Sequence, residues 1–539
     1  MEATGQLEEK PKMAPIPAEV ETFLIDLHTA MFERDEEQMK RLYDHDFNSL
    51  TEKYYSKISW LPSSRVEEFY VQRNMCHPLL MALYCQLYYR HLLARCPSEA
   101  SLHERYYSFY HFMKLFDYFI AQECSPENEF TLPLPTQWLW DIVDEFVYQF
   151  QEFQRWIGQF SKCISENEVA MQTLHQCSNA WRASDVFQTL YLIIEASGIN
   201  VYLENENSQN DGIATLRNMK EPTFPILLGY FSIISLMRLH VAIGDYKTAF
   251  HVARNIRLST NALYWKVPAC HVTLFYNLSF AYMMMRRYQD ALRVLSQVLV
   301  FLSKSRGYLS TQGYQHDVMA RMTDKMYHVV MLCHALSPSR LENSIQSRLQ
   351  EKLADKYCKL QSDNEEAYKE VFVKACPKFV TPVICSFNDP REVLEIDQQE
   401  PLNRQLNVFL KDVFYQHRVF NVRSVAKLYN NLSLSKLANL MDLTQKNAVE
   451  IVRSEMLCVK SRAEQVIWKS GSLLDGERVE LLNDLDIYLD TDTIHVKNLA
   501  THENFVHAFV EQIQRIKDLT NMVNTTGKAE VKKNILNPV

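Results

Sequence analysis

Two blocks of similar sequence near the middle of the chain constrain its fold more than any other feature. They occupy residues 231–252 and 275–294. In each block a helical pattern ends in a short turn, and a Tyr-x-x-Ala motif begins the next helix, at a spacing of about 42 residues. A helix pair of this kind cannot bury its apolar face alone and must stack on its neighbours. The repeat therefore predicts a mainly α fold built on a tetratricopeptide-like solenoid.

Glycine is scarce, which excludes several other classes of fold. Only 11 of the 539 residues are glycine, whereas about 7% is usual. Glycine supplies the positive φ angles of tight turns and lets a backbone approach phosphate closely. Its scarcity argues against a many-turned β protein and against a nucleotide-binding enzyme. A chain of this length is expected to form several packed units.

The segment QWLWDIVDEFVYQF, residues 137–150, has the most distinctive helical pattern. Its apolar stripe is broad, which predicts a helix that is buried on more than one side. Three acids, Asp141, Asp144 and Glu145, gather on the remaining face. Because no nucleophile or phosphate loop accompanies them, we expect a solvated or partner-facing acidic face instead of paired catalytic carboxylates.

The hydrophobic pattern changes from residue 424 onward. Short helical segments are followed there by strands in which apolar and polar residues alternate. The predicted bounds are 424–432, 435–440 and 444–457 for the helices and 486–490 and 493–496 for the strands. Helices followed by a β-hairpin are typical of a winged helix. A last amphipathic helix is predicted at residues 503–522, with an apolar stripe along one side.

A winged helix often reads DNA, but the charges here favour contact with protein. The candidate recognition helix, residues 444–457, carries Lys446 and Arg453 but also Glu450 and Glu455. This mixture would attract phosphates poorly. The chain as a whole has a net charge of −8, without an evident basic domain. We therefore expect contact with nucleic acid to be at most indirect or local.

No catalytic, metal or cofactor site is predicted. His502 and His507 are five residues apart, whereas the two histidines of a zincin are four apart. Cysteines and histidines cluster at residues 76–96, but without the Cys-x-x-Cys pair typical of structural zinc. Walker A, nucleophile-elbow and dinucleotide motifs are absent from the sequence. The prediction is a protein that is not an enzyme and takes no cofactor.

The sequence also predicts a cytoplasmic protein that does not enter a membrane. Residues 1–17 are polar and lack the apolar core of a signal peptide. The longest apolar stretch, residues 224–237, is too short to span a bilayer. In the cytosol the cysteines are expected to remain reduced thiols.

Several long motifs resemble a known family. The order of helical repeats, winged helix and terminal helix resembles that of PCI-domain proteins, which serve in the proteasome lid, the COP9 signalosome and eukaryotic translation initiation factor 3. Residues 137–150 look like the hallmark of the subunit L family of the last complex. Further motifs that carry the resemblance are GYFS at 229–232, RLH at 238–240, GDY at 244–246, MMRRYQDA at 284–291 and CPKF at 376–379.

The resemblance implies a non-catalytic scaffold subunit of initiation factor 3, a complex that joins the small (40S) ribosomal subunit and promotes recruitment of initiator tRNA and mRNA. In such assemblies the winged helices join into an arc and the terminal helices enter a shared bundle. Subunit K is the neighbour that the family implies. A scaffold of the proteasome lid or signalosome is the alternative, and a winged-helix nucleic-acid regulator acting alone is a further, less favoured one.

Candidate contact residues and domain bounds follow from the resemblance. The candidate partner-binding residues are Ile487, Tyr488 and Leu489 on the wing strand and Phe505, Phe509, Ile513 and Ile516 on the terminal helix. The expected domains are a disordered leader (1–17), an N-terminal helical region (18–220), tetratricopeptide-like repeats leading into the PCI module (221–400), the winged helix of the PCI domain (401–500), a C-terminal bundle helix (501–523) and a flexible tail (524–539).

Overall fold

The chain forms two compact units. The computed structural model describes residues 16–123, 132–164, 177, 179–209, 222–259, 262–305, 313–361, 364–381, 399–441, 447–469, 471–480, 485–498, 509–510, 512–517 and 520. Unit 1 comprises Met1–Val413 and Ile467–Glu477, and unit 2 comprises Phe414–Val466 and Arg478–Val539. Of the predicted leader only residues 16–17 are described, and the predicted tail, 524–539, lies outside the described residues.

Unit 1 is built from helices around one apolar core. Among the described residues, its first nine helices are α1 (Ala18–Glu33), α2 (Glu36–Arg41), α3 (Phe47–Tyr54), α4 (Ser63–Gln72), α5 (Pro78–Arg95), α6 (Leu102–Tyr118), α7 (Thr136–Ile164), α8 (Ala183–Ser197) and α9 (Ile199–Gln209). The next nine are α10 (Phe224–Ile243), α11 (Tyr246–Val252), α12 (Pro268–Met284), α13 (Tyr288–Lys304), α14 (Gly313–Leu336), α15 (Asn343–Lys352), α16 (Ala354–Gln361), α17 (Glu365–Ala375) and α18 (Glu400–Ala426), whose second half belongs to unit 2. Single turns of other helix types occur at Leu42–Asp46, Phe119–Glu123 and Leu263–Lys266. The mainly α prediction is confirmed.

The two repeat blocks of the sequence form equivalent helix–turn–helix units. The first turn passes through Gly244 and the second through Arg286, both of which adopt the left-handed conformation, with φ of +86° and +62°. In each turn the next amide donates to the carbonyl five residues earlier, at 2.9 Å, a pairing that closes the end of a helix. Ala249 and Ala291 are buried where the paired helices approach. The sequence repeat is therefore a structural repeat.

The tryptophan-rich helix α7 is buried on several sides, as its broad stripe predicts. The indole nitrogen of Trp138 donates to the Gln86 side chain at 3.1 Å. The ring of Trp140 meets Phe231 edge to face, with centroids 5.4 Å apart. α7 thereby joins the N-terminal helices to the repeats, because Gln86 lies on α5 and Phe231 on α10.

α10 is the most apolar helix of the core. In the part of the chain that the structure describes, it alone is long and apolar enough to cross a membrane, and α8 with α9 passes the same test only as a pair bent by 51°. However, 83% of the apolar window in α10 is buried inside the protein. It packs against α7, α8 and α12. Its composition is therefore explained by its place in the core.

Unit 2 is a winged helix. After α18 come β1 (Asn431–Ser433), α19 (Leu434–Leu440), α20 (Ala448–Ala463), β2 (Glu464–Ile467), β3 (Glu477–Glu480), β4 (Leu485–Leu489) and β5 (Thr493–Asn498). The strands β1, β5 and β4 form an antiparallel sheet in that order, while β2 pairs with β3. A separate apolar core, centred on Val422, Leu437, Val452 and Ile494, joins the helices to the sheet. The predicted wing hairpin is confirmed as β4 and β5.

The helix predicted at residues 424–432 is wrong. Instead, α18 continues to Ala426, and Leu432 lies in β1, opposite Ile494 of β5. Because the two strands are far apart in the sequence, local periodicity carries no sign of their pairing. Ser433, and not Ser435, caps α19, since its hydroxyl accepts from the Lys436 amide. Residues 442–446, which include Lys446, lie outside the described residues.

Candidate protein-interaction surfaces

The wing strand β4 forms one edge of the three-stranded sheet of unit 2 in the described part of the chain. Its side chains alternate between the two faces, as in any strand. Ile487 and Leu489 pack against the core of unit 2, whereas Tyr488 is exposed beside His495. Of the three wing residues predicted from the sequence, only Tyr488 therefore presents its side chain to solvent. The other two hold the strand in place.

The terminal helix carries an exposed apolar stripe. Residues 509–510, 512–517 and 520 are helical. Phe509, Ile513 and Ile516 are 61%, 51% and 61% exposed, and their spacing places them on one helical face. Val510, which is not among the predicted contact residues, is also exposed. The fourth predicted residue, Phe505, lies outside the described residues. Contiguous exposed apolar side chains of this kind mark surfaces that bind other proteins.

Two charged side chains of the candidate recognition helix α20 are engaged within unit 2. Arg453 donates to the carbonyl of Thr491 at 2.6 Å and to the carboxylate of Asp492 at 3.2 Å, both in the turn of the wing. Glu455 forms an ion pair with Arg418 of α18. A guanidinium that holds the wing is poorly placed to neutralise phosphate. This arrangement favours contact with protein over readout of nucleic acid.

The acids of α7 are only partly exposed and are engaged with other helices of unit 1, although the sequence predicts that they face solvent or a partner. The Tyr43 hydroxyl donates to Asp141 and accepts from Arg90, and the Arg90–Asp141 ion pair is largely buried. Burial raises the pKa of Asp141, an effect that the guanidinium of Arg90 opposes. Asp144 pairs with Arg238 at 2.5 Å. The prediction failed because both arginines lie on other helices, far from α7 in the sequence.

These acids line a cavity of about 90 Å³ in unit 1. Its polar wall consists of Arg90, Asp141, Asp144 and Glu145, and its apolar wall comes from α12 and α14. Burial raises the pKa of Glu145 from 4.5 to about 7, although Arg90 and a hydrogen bond from Gln149 oppose the shift. Glu145 is therefore the one group of this wall whose charge is expected to change near neutral pH.

Replacing Glu145 with glutamine should make the stability of the chain less dependent on pH. The raised pKa favours the protonated, folded form, so its stabilisation is present below pH 4.5 and is lost as the pH rises through about 7. Glu145→Gln should unfold like the natural chain at pH 5 but be more stable at pH 8. The free energy of unfolding at pH 8 should rise by about 1–2 kcal/mol, a value that is reduced to allow for screening by solvent. Urea unfolding followed by circular dichroism measures it.

The matched control is Glu365→Gln, which alters an exposed acid on α17. This variant should unfold like the natural chain at both pH values. Identical pH dependence of Glu145→Gln and the natural chain would contradict the assignment of the raised pKa to Glu145.

The cysteines and histidines at residues 76–96 have structural surroundings. His77 caps α5 by accepting from the Leu79 amide at 3.2 Å, and His91 bonds the carbonyl of Tyr55 at 2.9 Å. Burial raises the pKa of Cys85 to about 12, which keeps it a thiol. Within the described ranges, no group of three potential ligands is close enough to hold a metal ion. His502 and His507 lie outside the described residues.

A buried ion pair anchors the segment Ile467–Glu477 in unit 1, a feature that sequence reasoning missed. Arg287 pairs with Asp290 at 2.8 Å, and the two side chains are 5% and 2% exposed. Arg287 also donates to the carbonyls of Leu474 and Asp475, at 2.8 and 3.0 Å. Asp290 accepts from the Trp468 amide at 3.0 Å. The pair thus joins the second repeat turn to a distant part of the sequence.

The same segment contributes one side chain to the core of unit 1. Leu473 is buried, and its carbonyl accepts from the Tyr282 hydroxyl at 2.6 Å. Both partners of the ion pair lie within the motif at 284–291, so the signal was in the sequence. The neighbouring sequence could not indicate the role of this motif, because the groups that Arg287 and Asp290 bind come more than 170 residues later.

Comparison with known proteins covers both units. A family model described as RNA polymerase I-associated factor PAF67 matches residues 104–516. Eukaryotic translation initiation factor 3 subunit L of Nematostella vectensis is 34% identical over 508 residues, which are 94% of this chain and 92% of the relative. The proteins of the same name from Mus musculus and Homo sapiens are each 32% identical over 488 residues, 90% of this chain and 83% of the relative.

Proposed function

The chain belongs to the subunit L family of eukaryotic translation initiation factor 3, and we propose that it acts in that complex as a non-catalytic scaffold. Membership in the family implies a multiprotein complex with the other subunits. The single observation that carries the scaffold role is the exposed stripe of Phe509, Ile513 and Ile516. Apolar surface of this kind is stabilised when another helix covers it.

Two surfaces of unit 2 support this role. The edge of β4, where Tyr488 is exposed, can extend its sheet with a strand of a neighbouring subunit. The terminal helix can enter a bundle through its apolar stripe. In this proposal subunit K is the neighbour, residues 401–500 are the winged helix of a PCI domain and residues 501–523 are its bundle helix. The complex then brings the chain to the small ribosomal subunit in the cytoplasm.

The buried chemistry of unit 1 supports a role without catalysis. Burial raises the pKa of Cys85 and Cys376, to about 12 and 11, so neither thiol is activated as a nucleophile. Two largely buried ion pairs, Arg90 with Asp141 and Arg287 with Asp290, are engaged within unit 1. Groups engaged in this way stabilise a framework.

A pull-down of the tagged chain from cytosolic extract, with and without ribonuclease, tests the proposal. The expected result is stoichiometric recovery of initiation factor 3 subunits, subunit K among them, whether or not RNA is digested. Mass spectrometry identifies the partners. Recovery of proteasome-lid, signalosome or RNA polymerase I subunits instead would contradict the named complex. Loss of all partners with ribonuclease would contradict a scaffold that is held by protein contacts.

A further inference from the structure

One stretch of the chain has a charge opposite to that of the whole. Residues 246–316 contain nine lysines and arginines but a single acid, Asp290, whereas the chain has a net charge of −8. Asp290 is buried and already bonded to Arg287. The stretch therefore carries a local excess of positive charge.

The fold gathers four of these charges at one end of the repeat helices. Arg254 and Arg257 follow the end of α11, Lys266 precedes α12 and Lys304 is the last residue of α13. All four residues are exposed. Because α12 and α13 are consecutive helices joined by a short turn, the start of one lies beside the end of the other.

Trp265 connects the segments that carry these charges. Its indole nitrogen donates to the carbonyl of Ser259 at 2.9 Å, which ties it to the loop after α11. Its ring meets that of Phe301 edge to face, with centroids 4.8 Å apart, which ties it to the last turn of α13. Trp265 itself is 37% exposed. Trp265 thus links the segments that carry the four basic residues, and we call the surface formed by Arg254, Arg257, Lys266, Lys304 and this partly exposed indole the basic end.

One carboxylate borders the basic end, whose net charge stays positive because it carries four cations. Glu204 of α9 accepts a hydrogen bond from the Asn255 side chain at 3.2 Å. The surface thus combines four cationic side chains, one acid and one aromatic ring. Such a combination is typical of surfaces that bind single-stranded nucleic acid, where cations track the phosphates and an aromatic side chain stacks on a base.

We propose that the basic end binds the phosphodiester backbone of RNA, with an unpaired base against Trp265. Guanidinium and ammonium groups form charge-assisted hydrogen bonds with phosphate oxygens, and their binding releases counterions from the RNA. RNA fits better than an acidic protein because the exposed ring at the centre offers a stacking platform. The inference is independent of the proposed scaffold role, which rests on unit 2.

The test measures binding of the full chain to a fluorescein-labelled, unstructured RNA by fluorescence anisotropy, at several salt concentrations. The test variant carries R254E, R257E, K266E and K304E. Its affinity for the RNA should fall at least about tenfold. The slope of log affinity against log salt concentration should decrease by the contribution of about three phosphate contacts. The matched control carries K40E, K57E, K352E and K411E, which change the net charge equally at exposed positions. Its affinity should fall less than about threefold.

Two results would overturn the proposal. Equal losses in the two variants would mean that RNA responds only to the net charge of the chain. Absence of RNA binding by the natural chain would also overturn it, and loss of a protein partner by the test variant alone would then assign the basic end to an acidic protein. Circular dichroism verifies that both variants are folded. Since subunit recovery in the pull-down is measured separately, failure here leaves the scaffold proposal standing.

Discussion

Replacing Phe509 and Ile513 together by aspartate is expected to abolish co-purification of the chain with other initiation factor 3 subunits. Both side chains are more than half exposed on the terminal helix, so the change should alter the free energy of unfolding by no more than about 0.5 kcal/mol. In a helical bundle, however, the two carboxylates would be buried without partners, which costs several kcal/mol. The tagged pull-down measures the loss, and circular dichroism measures the helicity that should persist.

The matched control replaces Val201 and Val373 by aspartate. These residues are 63% and 49% exposed, but they lie on α9 and α17 of unit 1 and are not among the residues of the proposed contact. This variant should recover the subunits as the natural chain does. Undiminished recovery by the Phe509 and Ile513 variant would remove the terminal helix from the interface, and equal losses in both variants would show that any added charge disrupts the complex.

Replacing Asp290 by alanine should be the most destabilising single change considered. It would leave Arg287 buried and unpaired, and would remove the acceptor of the Trp468 amide. Breaking one partner of a buried ion pair costs about 3–5 kcal/mol. Urea unfolding followed by circular dichroism measures the change, and limited proteolysis should show new cleavage within Ile467–Glu477 as the segment loses its anchor.

Two further variants separate the buried pair from charge in general. Glu365→Ala, which breaks an exposed ion pair on α17, should leave unfolding unchanged. The double variant Arg287→Met, Asp290→Leu should recover part of the lost stability, because apolar residues can replace a buried pair. A loss below about 1 kcal/mol in Asp290→Ala would mean that water solvates Arg287 and that the pair is not an anchor.

Local sequence patterns predicted the elements that are determined by residues close together in the sequence. The helical repeat followed from the turns before Tyr246 and Tyr288, and the wing hairpin followed from the alternation around Tyr488. The strand β1 was missed because its partner, β5, is about 60 residues away. The end of α18 at Ala426 was also missed, because the helix predicted at residues 424–432 ran into the start of β1.

The candidate sites likewise divide into features set by nearby residues and features set by residues distant in the sequence. The stripe of the terminal helix and the exposed face of the wing are periodic, so the sequence can predict them. The acids of α7 were assigned to solvent because Arg90 and Arg238, which pair with Asp141 and Asp144, come from other helices. The basic end was missed because its charges are spread over some 50 residues and become neighbours only when α11, α12 and α13 are packed.

The hydrogen bonds that hold Ile467–Glu477 in unit 1 affect when this unit can complete its folding during synthesis. Asp290 precedes Trp468 by 178 residues. At a synthesis rate of about 5–20 residues per second, the carboxylate leaves the exit tunnel roughly 10–35 s before the amide that it binds. During that interval Arg287 and Asp290 of the second repeat turn lack their hydrogen bonds to Ile467–Glu477. The turn is then accessible to water and to chaperones. Folding of unit 1 therefore finishes only after Ile467–Glu477 has left the exit tunnel.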